Sequence, residues 1–217
     1  ARMTRLPMTI WLLSALILAT LPVTARPAEE QQQWTFRVLL DGREIGEHRF
    51  TLTTEGVNRQ LRSEAAFAVR LLFIDAWRYH HRADETWQGN CLRSLIARTT
   101  TNGSVERVSA DSRDGALVVD RSSEQRLLDG CVQSFAYWNP SILDAHALLN
   151  SQTGELQQVR IVPLGTENLT VRGSPTSTRR YRISAPAMQI DLWYAGDLWV
   201  GLESLVKGER RLRYELS

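Results

Sequence analysis

The sequence has few of the residues that mark specialised classes of protein. Its 217 residues include only two cysteines and 13 glycines, which excludes a disulfide-dense miniprotein and a collagen-like repeat. It has no C-x-x-C pair, no zinc-spaced Cys/His set, no phosphate-binding glycine loop and no G-x-S-x-G or H-E-x-x-H motif. The common signatures of redox, zinc, nucleotide and hydrolytic sites are therefore missing, and we predict neither a cofactor nor a metal.

An excess of charge of one sign is also absent from most of the chain. Arg2 and Arg5 are the only charged residues among the first 25. Removing these two from the 26 basic residues leaves 24 basic groups against 24 acidic groups in the remainder. A segment without net charge has no electrostatic footprint for nucleic acid or for an anionic membrane surface, so neither is expected as a partner.

Long hydrophobic runs are missing, and the one short run is typical of a secretory leader. Arg2 and Arg5 precede a run of twelve mostly apolar residues at 10–21, fewer than the roughly 20 that span a bilayer. We predict a cleaved signal peptide at residues 1–25, a flexible polar stretch at 26–33 and a single β-rich domain at 34–217. The protein is then periplasmic or secreted by a bacterium, without stable membrane insertion after cleavage. An uncleaved N-terminal anchor is the alternative.

Two cysteines in an exported protein are expected to pair. Cys91 and Cys131 each follow a turn signal, Gly89-Asn90 and Asp129-Gly130 respectively. In an oxidising compartment they would form a disulfide, whose effect on chain entropy is worth about 4 kcal/mol of stability. Two buried thiols or a redox pair are the alternatives, and the redox pair is disfavoured because the C-x-x-C spacing is absent.

Apolar residues recur at every second position from Trp34 onward, which is typical of half-buried β-strands. Trp34 and Phe36 alternate with polar residues in the first such segment, and His48 and Phe50 do so in the next. Turn dipeptides such as Asp41-Gly42 separate these segments. One polar and one apolar face per strand indicates antiparallel pairing. We predict ten to twelve strands, too many for a flat open sheet.

One segment breaks this period and predicts a helix. Asn139 is a suitable N-cap, Pro140 suits the first helical position, and Ile142, Leu143, His146 and Leu149 recur at helical spacing up to Asn150. The predicted fold is therefore mainly β. It is a strongly curved antiparallel sheet, either a half-open barrel or a two-layer sandwich, with one short helix packed on its concave face.

Few polar residues on the inward faces could carry chemistry. His81 and Glu85 share the aromatic face of one predicted strand, and His48 faces inward from another. Burial could shift the pKa values of such a His and Glu toward neutrality and make a general-base pair. Residues four apart on a strand are about 13 Å apart, however, so His81 and Glu85 cannot touch without a bulge. The alternative is a core with a few hydrogen-bonded polar residues.

Inward aromatic residues could line a pocket for an apolar ligand. The candidates are Trp34, Phe36, Phe50, Trp77, Tyr79, Trp87, Tyr137 and Trp138. Aromatic lining with a few polar groups is what such pockets require. The alternative is that these side chains form a solid core, and the sequence leaves both open.

The run from Phe135 to Pro140, Phe-Ala-Tyr-Trp-Asn-Pro, and the Gln-Thr-Gly-Glu at 152–155 resemble a family of secreted bacterial proteins of unknown function. The resemblance extends from Trp34 to the C-terminus and implies no particular activity. More loosely, the strand pattern around residues 190–204 is similar to periplasmic lipoprotein carriers, which are half-open barrels whose helices plug an apolar cavity. Those carriers have several helices, whereas this sequence predicts one.

Three classes of function remain. The first is non-catalytic binding of an apolar or amphipathic, lipid-like small molecule in a β half-barrel. The second is a periplasmic hydrolase that uses His81 or His48 as the base near Glu85. The third is an interaction module of the cell envelope that presents a sheet edge to a partner. The sequence does not predict the oligomeric state.

Overall fold

The computed structural model of the chain describes residues 29–71, 74–122, 124–206 and 209–217. The predicted signal peptide at residues 1–25 lies outside these ranges. Glu30 to Gln33, which we expected to belong to a flexible stretch, begin the first strand and pair with the second.

In the described residues, thirteen antiparallel strands form one large sheet and two more form a separate pair, so there are more strands than the ten to twelve predicted. The strands of the large sheet are β1 (Glu30–Leu40), β2 (Arg43–Glu55), β3 (Asn58–Leu71), β4 (Ile74–Gln88), β5 (Cys91–Thr101), β6 (Ser104–Arg113), β7 (Ala116–Arg121), β8 (Glu124–Asp129), β11 (Arg160–Val171), β12 (Ser174–Ala185), β13 (Met188–Ala195), β14 (Leu198–Val206) and β15 (Arg210–Leu216). Two short strands, β9 (Ala147–Leu149) and β10 (Leu156–Gln158), form a separate pair. The large sheet runs in the order β11 to β15 and then β1 to β8, so β1 pairs with β15.

The predicted alternation holds on the strands that carry most of the core. In β1, Trp34 and Phe36 are buried while Arg37 is exposed, and in β4 the odd-numbered residues from His81 to Trp87 are buried. The turn dipeptide Asp41-Gly42 joins β1 to β2, with both residues at positive φ as a tight hairpin turn requires. On the outer face charges pair across strands, as Arg62 does with Asp84 at 2.7 Å.

One large hydrophobic cluster, with a smaller one formed by Val38, Ala65 and Phe67, lies on one face of this sheet. Buried residues of β1 to β7 and of β12 to β15 belong to one hydrophobic cluster, and the rings of Phe36 and Trp199 have centroids 4.1 Å apart. Residues from distant strands can meet on one face only if the sheet is curved. The strongly curved antiparallel sheet is therefore the observed architecture.

The chain between the two end strands crosses the concave face. We call residues 130–159 the crossing segment, because β8 lies at one edge of the sheet and β11 at the other. Its side chains at Ile142, Leu148 and Leu149 are fully buried. The Tyr194 hydroxyl of β13 donates a hydrogen bond of 2.7 Å to the Tyr137 carbonyl. The crossing segment thus completes the core of a sheet whose end strands, β8 and β11, are not paired with each other in the described part of the chain.

The predicted helix is much shorter than residues 139–150. Only Pro140–Asp144 is helical, as a 3-10 turn, and Asn139 caps it by accepting a hydrogen bond from the Ser141 backbone. The chain then becomes extended, because Leu149 donates its backbone N–H to the Gln133 carbonyl at 2.8 Å. Tertiary pairing here overrides local helix propensity. Within the described ranges, no helix is long and apolar enough to cross a bilayer.

Cys91 and Cys131 form the predicted disulfide. The bond joins the first residue of β5 to the start of the crossing segment, 40 residues later. Next to it, Leu92 donates its backbone N–H to the Val132 carbonyl at 2.8 Å. The disulfide therefore anchors the crossing segment to the sheet at one end.

Candidate functional site

A cavity of about 910 Å³ lies between the concave face of the sheet and the crossing segment. The cavity is lined by β2, β3 and β4, by β13, β14 and β15, and by the crossing segment. Exposed residues at its rim, among them Pro186, Ala187 and Leu205, show that the cavity opens to solvent. Its volume is in the range of about 300–1,000 Å³ that is typical of small-molecule sites.

Small side chains on β3 and β4 create the hollow. Ser63, Ala65 and Ala83 line the cavity, and Ser63 is directly opposite Ala83 in the strand register. At the next inward-facing pair of the register, Leu61 is opposite Glu85. These larger side chains limit the cavity at this end. A row of small residues between larger ones leaves space that a uniformly large row would fill.

Aromatic rings form much of the cavity lining. Phe135, Tyr137 and Trp138 of the crossing segment line the cavity together with Trp199 of β14 and Tyr214 of β15. The rings of Tyr137 and Trp199 have centroids 5.3 Å apart. These side chains offer an apolar surface with polar edges to anything that enters the cavity.

His48 of β2 is held between two hydroxyl groups in the cavity wall. Its Nε2 is 2.8 Å from Ser63 Oγ, and its Nδ1 is 3.2 Å from the Tyr214 hydroxyl. Burial lowers the pKa of His48 to about 3, and the neighbouring His81 contributes in the same direction. His48 is therefore a neutral ring at neutral pH, hydrogen-bonded on both nitrogens.

His81 of β4 lies two strands away from His48, with Ala65 between them in the register. Its Nδ1 is 2.9 Å from Thr99 Oγ1 of β5. Burial lowers the pKa of His81 to about 4, so this ring is also neutral near pH 7. Two neutral imidazoles thus flank the small side chain of Ala65 in the wall of the cavity.

Glu85 is a buried acid in the same wall. Its carboxylate accepts hydrogen bonds from Trp87 Nε1 at 2.8 Å and from Ser134 Oγ at 3.2 Å. Burial raises the pKa of Glu85 to about 7, and these two hydrogen bonds offset the rise only in part. The group therefore changes its protonation state near neutral pH, and through Ser134 it also ties β4 to the crossing segment.

Two buried polar atoms of lining residues have no hydrogen-bond partner within the described part of the chain. They are the indole Nε1 of Trp138, a donor, and the amide Oε1 of Gln157, an acceptor. Buried polar groups are normally hydrogen-bonded, so each unpaired atom calls for an explanation. Both belong to the crossing segment.

The structure divides the predicted ligand-binding residues into two groups. Phe50, Tyr79, Tyr137 and Trp138 line the cavity. Trp34, Phe36 and Trp87 are buried in the core instead, and Trp77 is half-buried and stacks on Tyr79 with ring centroids 5.6 Å apart. The aromatic face thus supplies both a packed core and part of a cavity, which are the two alternatives that the sequence left open.

The three polar candidates all line the cavity, and His81 and Glu85 do not touch, as expected for residues four apart on one strand. Among the described residues, no hydrogen bond joins His81 to Glu85, and Ala83 lies between them on the strand. The actual partners of His48 are Ser63 and Tyr214, which were not among the predicted site residues. The alternation of β3 and β15 places both on the inward face, and this signal could have identified them. The described residues contain no cluster of three or more metal-binding side chains.

Comparisons with known proteins agree with this architecture. A family model described as "Domain of unknown function (DUF6134)" matches residues 36–217. The chain is similar to a solved structure titled as a beta-barrel-like protein of domain of unknown function DUF1849 from Brucella abortus. The TM-score is 0.65 at 12% identity, over 89% of this chain and 98% of that one, which shows a common fold. No curated protein matches the sequence.

Proposed function

Since the chain belongs to the DUF6134 family of domains of unknown function, we propose its function from the geometry of its cavity. The proposed function is non-catalytic binding of an apolar or amphipathic, lipid-like small molecule. The observation that carries the proposal is a cavity of about 910 Å³, open at its rim, that is lined by aromatic rings and by a few buried polar groups. This combination is what small-molecule sites share.

The proposed location is the bacterial periplasm or the cell exterior. The short apolar run at residues 10–21 supports export, and the disulfide between Cys91 and Cys131 is compatible with an oxidising compartment. Fractionation of cells that express a C-terminally tagged full chain would test this location. Recovery of the tagged protein in the cytosol with residues 1–25 still attached would refute it.

A filled cavity should bind poorly, which gives a direct test of the ligand-binding function. Ala65→Phe places a ring in the wall between His48 and His81, whereas Ala66→Phe places the same ring on the exposed outer face of β3. With the apolar fluorescent probe N-phenyl-1-naphthylamine, we expect at least about tenfold weaker binding for Ala65→Phe and little change for Ala66→Phe.

Both variants must first show a cooperative unfolding transition, so that loss of binding is not loss of fold. Native mass spectrometry of protein purified from the periplasm is an independent measurement, because a co-purifying lipid-sized mass would support the proposal. The proposal fails if the probe does not bind the wild-type protein, or if it binds Ala65→Phe as well as wild type.

Hydrolysis is a second candidate, because one contact in the cavity favours it. Ser63 Oγ is within hydrogen-bond distance of His48 Nε2, and the Tyr214 hydroxyl orients the other ring nitrogen, as in an activated serine. If this pair is a nucleophile and its base, Ser63→Ala abolishes any cleavage of 4-nitrophenyl decanoate. Ser134→Ala removes another buried serine of the same cavity and should leave that cleavage intact. Equal rates for wild type and Ser63→Ala would exclude this candidate.

A further inference from the structure

The charges that line the cavity are of one sign. The described lining residues include Glu85 and Glu155 but no arginine and no lysine. Glu155 is already paired, because Arg121 donates a hydrogen bond of 2.8 Å to its carboxylate. Glu85, the other acid of this cavity, has no ion-pair partner among the described residues.

The surroundings of Glu85 contain neutral donors in place of a cation. Its two hydrogen bonds come from an indole N–H and a hydroxyl, and its direct neighbours in the register are Leu61 and Leu95. The guanidinium of Arg59, on the adjacent strand, lies over the Trp138 ring at 4.7 Å and hydrogen-bonds Asn90. A buried carboxylate without a positive partner is costly, so a cation that enters the cavity would stabilise it.

The other groups of the cavity also suit a positively charged nitrogen. Aromatic faces attract cations through the negative potential above the ring, and Tyr137 and Trp199 line the cavity with such rings. Gln157 Oε1 is an unpartnered buried acceptor that an N–H group could satisfy. The two imidazoles are neutral, so His48 and His81 would not repel a cation.

The charges of the lining residues do not favour an anionic ligand. A carboxylate or phosphate group in the cavity would face Glu85 and Glu155 without an arginine or lysine among the described lining residues. Burying an uncompensated anion beside another acid is unfavourable. Common fatty acids and anionic lipids therefore fit the walls less well than an amine of the same chain length.

We propose that the ligand of this cavity carries a protonated amine that pairs with Glu85, and that the rest of the ligand is apolar. This inference rests on the proposed ligand-binding function and names the chemical class of the ligand. The nitrogen lies beside Glu85 of β4, and the apolar part extends along the apolar lining of the cavity.

The test compares three probes that share a ten-carbon chain and differ in the head group. Decylammonium, decanol and decanoate are titrated into the full chain by calorimetry, below the concentrations at which they form micelles. We expect decylammonium to bind at least about tenfold more tightly than decanol, and decanoate to bind most weakly. This ranking uses the wild-type protein, so it does not depend on any variant folding.

A variant then assigns the preference to one residue. Glu85→Gln keeps the shape of the side chain and removes its charge, so decylammonium should bind about tenfold more weakly while decanol changes by less than about twofold. The matched control is Glu64→Gln, which removes the same charge from the exposed outer face of β3. It should leave both affinities unchanged.

The outcomes separate this inference from the function on which it rests. If all three probes bind equally well, or if Glu85→Gln does not weaken decylammonium, the amine assignment is wrong and the ligand-binding function stands. If decanoate binds best, the assignment is also overturned. If none of the probes binds, the proposed function itself loses its support.

Discussion

Replacing Glu85 by glutamine should change how the stability of the protein depends on pH. Burial raises the pKa of Glu85 from an ordinary 4.5 to about 7 in the folded state. Between these two values the folded protein holds the proton more tightly than the unfolded chain does. The free energy of unfolding therefore falls as the pH rises through this window, and the contribution of Glu85 is most favourable below pH 4.5.

The expected magnitude follows from the size of the shift. A shift of one pKa unit corresponds to 1.36 kcal/mol, so ionisation of Glu85 costs the folded state about 3 kcal/mol by the time the pH is above 7. Glu85→Gln has no such proton to lose. The difference in the free energy of unfolding between the variant and wild type should therefore shift by about 3 kcal/mol in favour of the variant as the pH rises from about 4 to about 8.

Urea unfolding followed by tryptophan fluorescence, with the disulfide intact, measures this difference at a series of pH values. His48 and His81 also titrate differently in the folded and unfolded states, but they are present in both proteins and cancel in the comparison. The same series with Glu64→Gln corrects for the change in net charge. A constant difference between Glu85→Gln and wild type at every pH would refute the reasoning.

Three further predictions concern the frame around the cavity. Replacing Cys91 and Cys131 by serine should lower the free energy of unfolding by about 4 kcal/mol, measured by urea denaturation. Gly46→Ala should cost about 1–3 kcal/mol in the same assay, because a Cβ there would lie 1.9 Å from a carbonyl oxygen of β3. By NMR, the rings of His48 and His81 should remain neutral from about pH 8 down to about pH 5, because burial lowers both pKa values.

The strand pattern could be predicted because each strand carries its own evidence. Alternation places Trp34 and Phe36 on one face without any knowledge of the other strands, and burial of both confirms it. The disulfide was predictable for a similar reason, since two cysteines allow a single intramolecular pairing. The helix prediction fails because the state of residues 147–149 depends on distant partners. Gln133 and β10 take up backbone groups that a helix would have paired within itself.

The candidate site was harder to predict because its contacts cross strands. Inward alternation identifies His48, His81 and Glu85 as residues of the concave face, but it does not say what each one touches. The register decides that Ser63 and Tyr214 reach His48, and that Ser134 of the crossing segment reaches Glu85. Register and the path of a thirty-residue connection depend on the whole fold, so one sequence alone does not give them.

The cavity is not a packing defect sealed inside the core. Exposed residues such as Pro186 and Leu205 form its rim, so solvent reaches this space of about 910 Å³. The polar groups His48, Ser63, His81 and Glu85 allow water to occupy it, and the aromatic rings of its lining favour an apolar chain. A lining that combines polar groups with aromatic rings suits a ligand with a polar head and an apolar body, which would displace that water.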